Sequence, residues 1–588
     1  MDSPQNDVDP PQADCAQCTS DVPLGESQGP AEGMSATSRD GRRPLRISVL
    51  LVGSLTLGVL AALTPRYETN DDAGMNAIVA GHGLVDRPDE HLLFSNVLIG
   101  SGLKSLYQVA PQIPWYGGFL FVTGCLSLGA ICFVCLRQDS SEWKVGMIGV
   151  FLWVAGIPAL TQLQFTRIGF LAGLAGLLLL TGALRAPGAA RQKWLAIPFL
   201  VTGGLIRYDA LRLVCVVLFP VIAWIVWRAR MQKSARVAVL ILVACITLSY
   251  GANSFNTWYY QWDAGWRDYY PFSARRVEFI DYGHVEYNPQ TAEAFASAGW
   301  LPIDLQMLRN WAFLDRERYN SRSLQTILDA LPVSNWQPPR PWHTLINRLA
   351  ADSELWGLLA CGAACLAILA TDRAARFVPL ACYGVAGITC IFLYRNLHLP
   401  PRVYCPVFSG CAIAAIAFSA GPRSFGKRRA WAESAFGRYL ALALVGAVVV
   451  WRAGAIWHSN ANFLSYHKEA VQMMKQLAPK PNQLFVVWAG DFPLEYVTLP
   501  LESQSLSRDF KVLDLNWTLG FSKPRTDEFH VTDLISIVRR GDGTFLVCQR
   551  SQTELLSAYI RVHYGVELKY RVAFAHHALY DSAVYQVT

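Results

Sequence analysis

Long apolar blocks alternate along the chain with short polar segments rich in arginine and lysine. A helix needs about 20 mostly apolar residues to cross the hydrocarbon core of a bilayer, and the blocks approach or reach that length. The pattern therefore predicts an all-α polytopic membrane protein. We predict eleven membrane-spanning helices, at 47–64, 115–136, 145–160, 164–184, 194–206, 210–227, 236–253, 353–371, 377–394, 403–420 and 439–457.

The stretch 194–227 allows two interpretations. As a single helix it would have 34 residues, with Arg207 and Asp209 in its middle. Its two flanks, 185–193 and 228–236, are both basic. Basic flanks collect on the cytoplasmic side of a membrane, so this pattern favours a hairpin that turns at Arg207–Asp209.

The distribution of lysine and arginine predicts the orientation of the protein. Alternate short segments hold 20 of these residues on one side of the predicted spans and 7 on the other. The richer side is expected to be cytoplasmic. This places the N-terminus in the cytoplasm and the C-terminus outside. The expected location is a plasma membrane, such as the inner membrane of a bacterium.

The same pattern divides the chain into three parts. Residues 1–45 have little to bury and are expected to form a disordered cytoplasmic tail. Residues 46–457 form the transmembrane domain, with outer loops at 65–114 and 254–352. Residues 458–588 are expected to form a small extracytoplasmic α/β domain. Its predicted strands lie at 484–488, 544–548, 566–575 and 582–587, and its predicted helices at 532–540 and 552–563.

Composition supports the membrane assignment and excludes other classes. Hydrophobic residues make up 52% of the chain and charged residues 16%, against about 25% charged in a typical soluble domain. The net charge of +7 comes from the inner loops and does not indicate a nucleic-acid surface. Most of the 14 cysteines lie in apolar blocks, so no disulfide framework is predicted. No GxxxxGK[ST] loop is present, which argues against an ATP-driven pump.

The first predicted outer loop holds two adjacent carboxylates, Asp71 and Asp72, shortly after the first span. Met75 and Ile78 follow at helical spacing, which predicts an amphipathic helix capped by Asn70 or Asp71. One interpretation of the acidic pair is a cap with a favourable helix-dipole interaction. The other interpretation is that the pair takes part in catalysis.

Segment 71–84 resembles the Asp-Glu-aromatic-x-x-x-Ile-Ala signature of the first outer loop in the glycosyltransferase C superfamily. The protein O-mannosyltransferases and the lipid A aminoarabinose transferases are the most similar in pattern. Segments 87–100 and 103–107 resemble that loop's continuation, and 398–406 resembles a late Leu-Pro-x-Tyr-x-x-Pro motif. The chain departs from the pattern at Asp72, where the family has Glu.

The resemblance implies a fold like that of the superfamily and a glycosyl transfer on the outer face of the membrane. The donor would be a sugar on a polyprenyl phosphate, and the acceptor a glycan, a lipid or a protein. By the same resemblance, Asp71 would deprotonate the acceptor hydroxyl and Asp72 would assist. A buried carboxylate beside another carboxylate has a raised pKa, which suits a general base.

The remaining candidate residues would bind substrate. The leaving polyprenyl phosphate needs cations, and arginine binds phosphate bidentately; for each arginine the alternative is snorkelling to the membrane interface. Arg207 and Asp209 could also form a structural ion pair. The predicted substrate-binding set is Arg66, Glu90, His91, Arg207, Asp209, Arg395, His398, Arg402 and Tyr404.

Two further clusters have alternative interpretations. His82, Glu90 and His91 share the first loop with the acidic pair, and such sets can bind a divalent metal, so a metal cofactor is one hypothesis. Trp258, Trp262 and Trp266 would lie on one face of a helix over 254–268. They could stack on sugars, but an aromatic belt at the membrane surface is the favoured interpretation.

Two other classes of function compete with a glycosyltransferase. A transporter or lipid-glycan flippase should show repeated halves, and the sequence shows no clear repeat. A non-catalytic assembly subunit would use the outer domain for binding. The acidic pair separates these hypotheses, because an enzyme needs it and a scaffold should tolerate its loss.

Overall fold

The computed structural model describes most of the chain from residue 42 onward. The predicted tail falls, apart from its last four residues, outside the described part. The described residues are 42–185, 192–230, 232–281, 285–331, 341–366, 373–397, 399–419, 435–477, 482–488, 494–502, 510–516, 526–531, 533–541, 543–575 and 582–587.

Within these ranges, seven helices are long and apolar enough to cross a membrane. A further pair, α8 (Tyr208–Val217) and α9 (Phe219–Ala229), is bent by 69° and could count as an eighth span. The chain is therefore an integral membrane protein. The seven helices are α1 (Arg42–Ala62), α4 (Trp115–Gln138), α5 (Glu142–Thr161), α6 (Phe165–Arg185), α10 (Lys233–Trp262), α17 (Arg373–Asn396) and α18 (Pro401–Phe418).

The predicted count of eleven spans is confirmed only in part. The span at 194–206 corresponds to α7 (Gln192–Ile206), whose 15 residues are short for a full crossing. The span at 353–371 corresponds to α16, which is helical over Ser353–Ala364 before the described residues end at 366. The span at 439–457 is part of the much longer α19 (Ala435–Leu477).

The stretch 194–227 turns back on itself as a hairpin, as the basic flanks indicated. Arg207 has extended backbone angles between α7 and α8, which breaks the helix there. Helix α7 packs along α6 through Gly203 and Gly173, and Leu211 of α8 returns to the same Gly173. The chain therefore reverses direction at Arg207.

The first loop lies where several helices begin or end. Arg66 and Tyr67 form a short strand, β1, which pairs in parallel with β2 (Gln162–Leu163) between α5 and α6. Helices α2 (Asn70–Ala80) and α3 (Val97–Val109) follow in the same loop. The Asn96 N–H donates to the carbonyl of Leu205 at the end of α7 (2.9 Å). We call this side of the helix bundle the loop side.

The second long loop folds into short helices around aromatic residues. Its core contains Phe279, Trp300 and Tyr319, each almost fully buried. The same hydrophobic core includes residues beyond 484, so this loop and the C-terminal segment fold together. The helices are α11 (Tyr269–Phe279), α12 (Ala292–Ser297), α13 (Pro302–Arg309), α14 (Ser321–Ala330) and α15 (Trp342–Ala351).

The C-terminal segment forms a five-stranded sheet with the order β4-β3-β5-β7-β6. Strands β3, β4 and β5 are parallel, and β7 pairs antiparallel with β5 and β6. Short apolar runs rich in valine, leucine and phenylalanine suit these parallel strands, which are almost entirely buried. The elements are β3 (Leu484–Val487), α20 (Leu494–Val497), β4 (Val512–Asp514), α21 (Leu534–Arg539), β5 (Thr544–Gln549), α22 (Arg550–Tyr564), β6 (Tyr570–Ala575) and β7 (Ser582–Val587).

The C-terminal sheet also contacts the first loop, so both lie on the loop side. The Val512 N–H of β4 donates to the Gly83 carbonyl of the first loop (3.1 Å). A Cβ at Gly117 would lie 1.9 Å from the Pro500 carbonyl oxygen, so the close approach requires glycine there. The division into domains at 457/458 stays a prediction, because α19 runs through that boundary.

Candidate functional site

Helix α2 carries the acidic pair in its first turn. The residue before the helix, Thr69, is extended (φ −138°, ψ 158°), and Gly81 ends the helix in the left-handed region (φ 77°). Asp71 and Asp72 therefore lie inside the helix, and the predicted cap at Asn70 or Asp71 is wrong. Their negative charges are still favourable, because the unpaired N–H groups of a first turn attract anions.

The prediction that α2 is amphipathic is also wrong. All residues from Asp72 to Ala80 are buried, including Met75 and Ile78. Met75 contacts Tyr116 of α4, whereas Ile78 belongs to a hydrophobic cluster with residues of the C-terminal sheet. The tertiary structure thus covers both faces of this short helix, which fixes the acidic pair rigidly.

Asp72 is fully buried and its carboxylate is held by three donors. Its Oδ1 accepts hydrogen bonds from the Phe165 backbone N–H (3.0 Å) and from the Tyr116 hydroxyl (3.1 Å). Its Oδ2 accepts a longer bond from the Thr69 hydroxyl (3.3 Å). Burial, together with the charge of Asp71, raises the pKa of Asp72 well above its ordinary value. Asp72 therefore links the first loop to α4 and α6.

This geometry predicts different effects for two substitutions of Asp72. Asp72→Asn should fold and keep most of the wild-type activity, because one amide oxygen can accept both bonds that Oδ1 accepts now. Asp72→Ala should lower the free energy of unfolding by about 1–3 kcal/mol for each donor left buried without an acceptor. Thermal unfolding of the purified variants measures the difference, and equal stability of the two would contradict it.

Asp71 has a different environment from Asp72. Burial raises the pKa of Asp71, although the positive charges of Arg402, Arg207 and Arg276 act against that rise. Among the residues that the structure describes, none donates a hydrogen bond to this carboxylate. Asp71 thus lies in the electrostatic field of three arginines and of Asp281 and accepts no hydrogen bond from a described residue, whereas Asp72 accepts three.

The three arginines come from separate parts of the chain. Arg207 lies at the turn between α7 and α8, where its guanidinium faces the rings of Phe94 and Phe165 at 5.7 and 5.5 Å. Arg402 lies in the first turn of α18. Arg276 comes from α11 in the second loop. The structure therefore brings together Asp71, Arg207 and Arg402 from the predicted set and adds Arg276.

A cavity of about 310 Å³ on the loop side is lined by two of these arginines, Arg207 and Arg276. Its volume is at the lower end of the range of about 300–1,000 Å³ for small-molecule pockets. Arg207, Asp209 and Arg276 are among the charged groups in its wall. The lining consists of Leu93, Phe94, Ser95, Asn96, Gly204, Leu205, Arg207, Tyr208, Asp209, Asn253, Asn256, Trp266, Tyr269, Tyr270, Phe272, Ser273, Arg276, Val277, Trp311, Phe313 and Asn516.

Arg276 is a site residue that the sequence analysis missed. Its guanidinium carbon lies 4.4 Å from the centre of the Trp311 ring, and its Nη2 lies 3.8 Å from the Asp281 carboxylate. Its Nη1 is buried and has no hydrogen-bond partner among the described residues. The available signal was a basic pair, Arg275 and Arg276, in an aromatic-rich outer loop, but the sequence does not show which of the two faces inward.

Arg207 and Asp209 form the ion pair that was considered as an alternative. The Arg207 Nη2 lies 3.5 Å from Asp209 Oδ2, and Arg212 contacts the other oxygen of the same carboxylate at 3.4 Å. The Asp209 side chain is 62% exposed, so solvent weakens the pair. Arg207 remains available at the cavity wall.

Three other predicted residues lie away from this cluster. The Arg66 guanidinium donates to the Ser459 hydroxyl of α19 (2.6 Å) and stacks on Phe463. Arg395 is exposed and stacks on a tryptophan of α15, which agrees with the snorkelling alternative. The Tyr404 hydroxyl donates to the Asp352 carboxylate (2.6 Å), a cap of α16.

His398 lies outside the described residues. Its role in substrate binding stays a prediction, as do the roles of Arg66, Arg395 and Tyr404. Their observed partners do not include any of the three arginines around Asp71.

Glu90 and His91 line a second cavity of about 830 Å³. The Glu90 carboxylate accepts hydrogen bonds from Lys104 and from the Tyr259 hydroxyl (2.7 Å). The His91 Nδ1 contacts Asp89 Oδ1 at 2.7 Å. Ligand atoms of Asp89, Glu90 and His91 lie within 4.8 Å of one another. However, the Lys104 ammonium already neutralises Glu90, so this set fits an ion-pair network better than a divalent metal.

The three tryptophans do not share one helix face. Helix α10 ends at Trp262, where Trp258 and Trp262 are 51% and 76% exposed and contact each other. Their exposure agrees with an aromatic belt. Trp266 is buried instead, stacks on His91 and lines the first cavity.

A buried ionic network lies beneath the first loop and was also missed. The Glu354 carboxylate of α16 accepts hydrogen bonds from Arg167 of α6 and Arg452 of α19, each at 2.8 Å. Arg167 also approaches Glu68 of the first loop at 3.7 Å. The signal was present, since all except Glu68 are charged residues within predicted spans, where charge is rarely incidental. The network joins three helices to the first loop.

Comparisons with known proteins give a limited result. No family model and no curated protein matches the chain. Two solved structures of ArnT from Cupriavidus metallidurans are similar to it.

The apo ArnT structure is 13% identical, with a TM-score of 0.34, and the match covers 94% of this chain and 98% of that chain. The structure bound to undecaprenyl phosphate is 15% identical, with a TM-score of 0.35, and the match covers 91% of this chain and 97% of that chain. Because both TM-scores are below 0.5, we base the functional proposal on the contacts of this chain's own residues.

Proposed function

We propose that this protein is an integral membrane glycosyltransferase that moves a sugar from a polyprenyl-phosphate donor to an acceptor hydroxyl. The observation that carries the proposal is a half-buried carboxylate, Asp71, at the start of a buried helix and in the electrostatic field of Arg207, Arg276 and Arg402. Two of these arginines line a cavity large enough for a small ligand. A base and a phosphate-binding cation cluster are the two parts that such a transfer requires.

Asp71 acts as the general base in this proposal. The acceptor oxygen attacks the anomeric carbon, Asp71 takes the acceptor proton, and the bond from the anomeric carbon to the phosphate oxygen breaks. The raised pKa of Asp71 makes it a better proton acceptor than an ordinary aspartate. Asp72 is a positioning residue, because its oxygens are occupied by Phe165, Tyr116 and Thr69.

The arginines stabilise the leaving group. The polyprenyl phosphate departs with the electron pair of the broken bond and therefore gains negative charge. Fixed cations facing the position where charge develops lower the barrier most when they are shielded from water. Arg276 suits this role, because its side chain is only 13% exposed and its Nη1 has no partner in the described part of the chain.

The transfer is proposed to take place on the outer face of the membrane. The C-terminal sheet and the first loop share one side through the Val512–Gly83 hydrogen bond, and the lysine and arginine distribution assigns that side to the exterior. A reporter fused after Thr588 should therefore report an extracytoplasmic position, and one inserted at Ser140 a cytoplasmic one. A cytoplasmic signal after Thr588 would contradict this orientation.

The direct test uses the purified full-length protein in detergent with a panel of polyprenyl-phosphate sugars. Membranes of the producing cells supply glycan, lipid and protein acceptors together. We expect release of the sugar-free polyprenyl phosphate and a labelled acceptor with at least one donor. Absence of release and of transfer with every donor would contradict the proposal, whereas transport of intact donor across vesicles would favour a flippase.

A further inference from the structure

The wall of the first cavity contains one residue from the C-terminal sheet, Asn516. It follows strand β4 at the carboxyl end of the parallel part of the sheet. Its backbone N–H donates to Asp514 Oδ1 (3.0 Å), which holds the turn. The backbone of the preceding Leu515 makes two hydrogen bonds of 3.0 Å each. Its N–H donates to the carbonyl of Val487, and its carbonyl accepts from the N–H of Phe313. The position of Asn516 is therefore fixed.

The side-chain oxygen of Asn516 is buried and accepts no hydrogen bond from any described residue. A buried amide oxygen without a donor is costly, and such groups in folded proteins nearly always have a partner. Because the oxygen belongs to a residue in the cavity wall, a bound molecule can supply the missing donor. The partner must offer an O–H or N–H group, which a phosphodiester lacks.

Aromatic residues form another part of the cavity wall. Trp311 and Phe313 come from the second loop, and Trp266 and Tyr269 from the segment that follows α10. Aromatic faces pack against the apolar C–H face of a sugar ring, while its hydroxyl groups need polar partners at the edge. The combination of aromatic walls and a buried acceptor that lacks a donor matches a neutral, hydroxyl-bearing ring.

We propose that Asn516 accepts a hydrogen bond from a hydroxyl of the donor's sugar, so that the C-terminal sheet contributes to sugar recognition. This inference rests on the proposed function and deepens it. Arg207 and Arg276 attract the phosphate part of the donor, whereas the Asn516 oxygen would repel it. The cavity volume of about 310 Å³ suits one sugar ring with its phosphate, leaving the polyprenyl chain outside.

The experiment compares binding of two kinds of lipid to the purified full-length protein. One is a polyprenyl phosphate without sugar, and the other carries glucose, mannose, galactose or 4-amino-4-deoxyarabinose. We expect wild-type protein to bind at least one sugar-bearing lipid more tightly than the sugar-free lipid. Asn516→Ala should weaken binding of that lipid about fivefold to tenfold, the effect of one lost hydrogen bond, and leave the sugar-free lipid unchanged.

Asn310→Ala provides the matched control, because Asn310 is an exposed asparagine of the same second loop. It should bind both lipids like wild type. Equal binding of the sugar-bearing lipid by Asn516→Ala and Asn310→Ala would overturn the inference. Equal weakening of both lipids in Asn516→Ala would also overturn it, since the residue would then support the fold.

The outcomes for wild-type protein separate this inference from the proposed function. If wild type binds neither kind of lipid, the proposed function fails. If wild type binds the sugar-free lipid as tightly as every sugar-bearing one, the lipid phosphate site stands and the assignment of the sugar to Asn516 is overturned.

Discussion

Replacing Asp71 by asparagine should reduce glycosyl transfer by about 10²–10⁴-fold, the usual effect of removing a general base. Asparagine has nearly the same shape but cannot take up the acceptor proton. The fold should survive, because no described residue depends on Asp71 for a hydrogen bond and burial already disfavours its charge. The measurement is the rate of release of polyprenyl phosphate by the purified variant, at matched amounts of folded protein.

The control for this prediction is the same substitution at the neighbouring position. Asp72→Asn should keep most of the wild-type rate, because its amide oxygen can accept the bonds from Phe165 and Tyr116. If both variants keep the wild-type rate, the acidic pair has only a structural role, and neither aspartate is the general base of the proposed transfer. If Asp72→Asn loses transfer and Asp71→Asn keeps it, Asp72 is the base instead.

The pH dependence of wild type gives an independent check on Asp71. A general base must be ionised, so kcat/KM should fall as the pH is lowered through the pKa of Asp71. Because that pKa is raised by burial, the fall should occur at a higher pH than for an ordinary aspartate. The residual activity of Asp71→Asn should lack this acid limb, whereas Asp72→Asn should retain it.

Replacing Arg276 by alanine should lower kcat/KM for the donor by about 10²-fold or more, the typical effect of removing one fixed group that stabilises developing negative charge. Its binding of a sugar-free polyprenyl phosphate should weaken as well. Arg276→Lys should recover part of the loss, because lysine keeps the charge but lacks the planar fork that matches phosphate. Donor kinetics and lipid binding of the purified variants measure both effects.

Arg275→Ala is the matched control, since Arg275 is the adjacent arginine of the same helix and is exposed to solvent. It removes the same charge from the loop without removing a cation from the cavity wall, and it should behave like wild type. Equal kinetics of Arg276→Ala and Arg275→Ala would show that the phosphate is bound elsewhere, with Arg402 as the next candidate.

Seven of the eleven predicted spans correspond to helices that, in the described part of the chain, are long and apolar enough to cross a membrane. Blocks of apolar residues must be buried in lipid or protein whatever the tertiary structure, so their positions predict spanning helices directly. The turn at Arg207 was predicted for the same reason, since charged residues and basic flanks restrict where the chain can cross. The exact number of spans was less certain, because a helix as short as α7 satisfies the same pattern.

The two faces of α2 show what the local sequence pattern does not predict. The spacing of Met75 and Ile78 predicts a buried face but not that a second structural part covers the opposite face. That cover comes partly from the C-terminal sheet, about 400 residues further along the chain. Contacts at such separations leave no periodic signal in the sequence.

By itself, the sequence determined where seven long apolar helices lie, where the acidic pair lies relative to the first of them, and which family the first loop resembles. Asp71 and Asp72 are adjacent and chemically identical. Only the tertiary structure therefore decided that Asp72 accepts hydrogen bonds from its neighbours and that Asp71 lies in the field of three arginines. It also brought Arg276 and Asn516 to the same cavity. The physical reason is that hydrogen bonds and charges act over a few ångströms in space, whatever the distance along the chain.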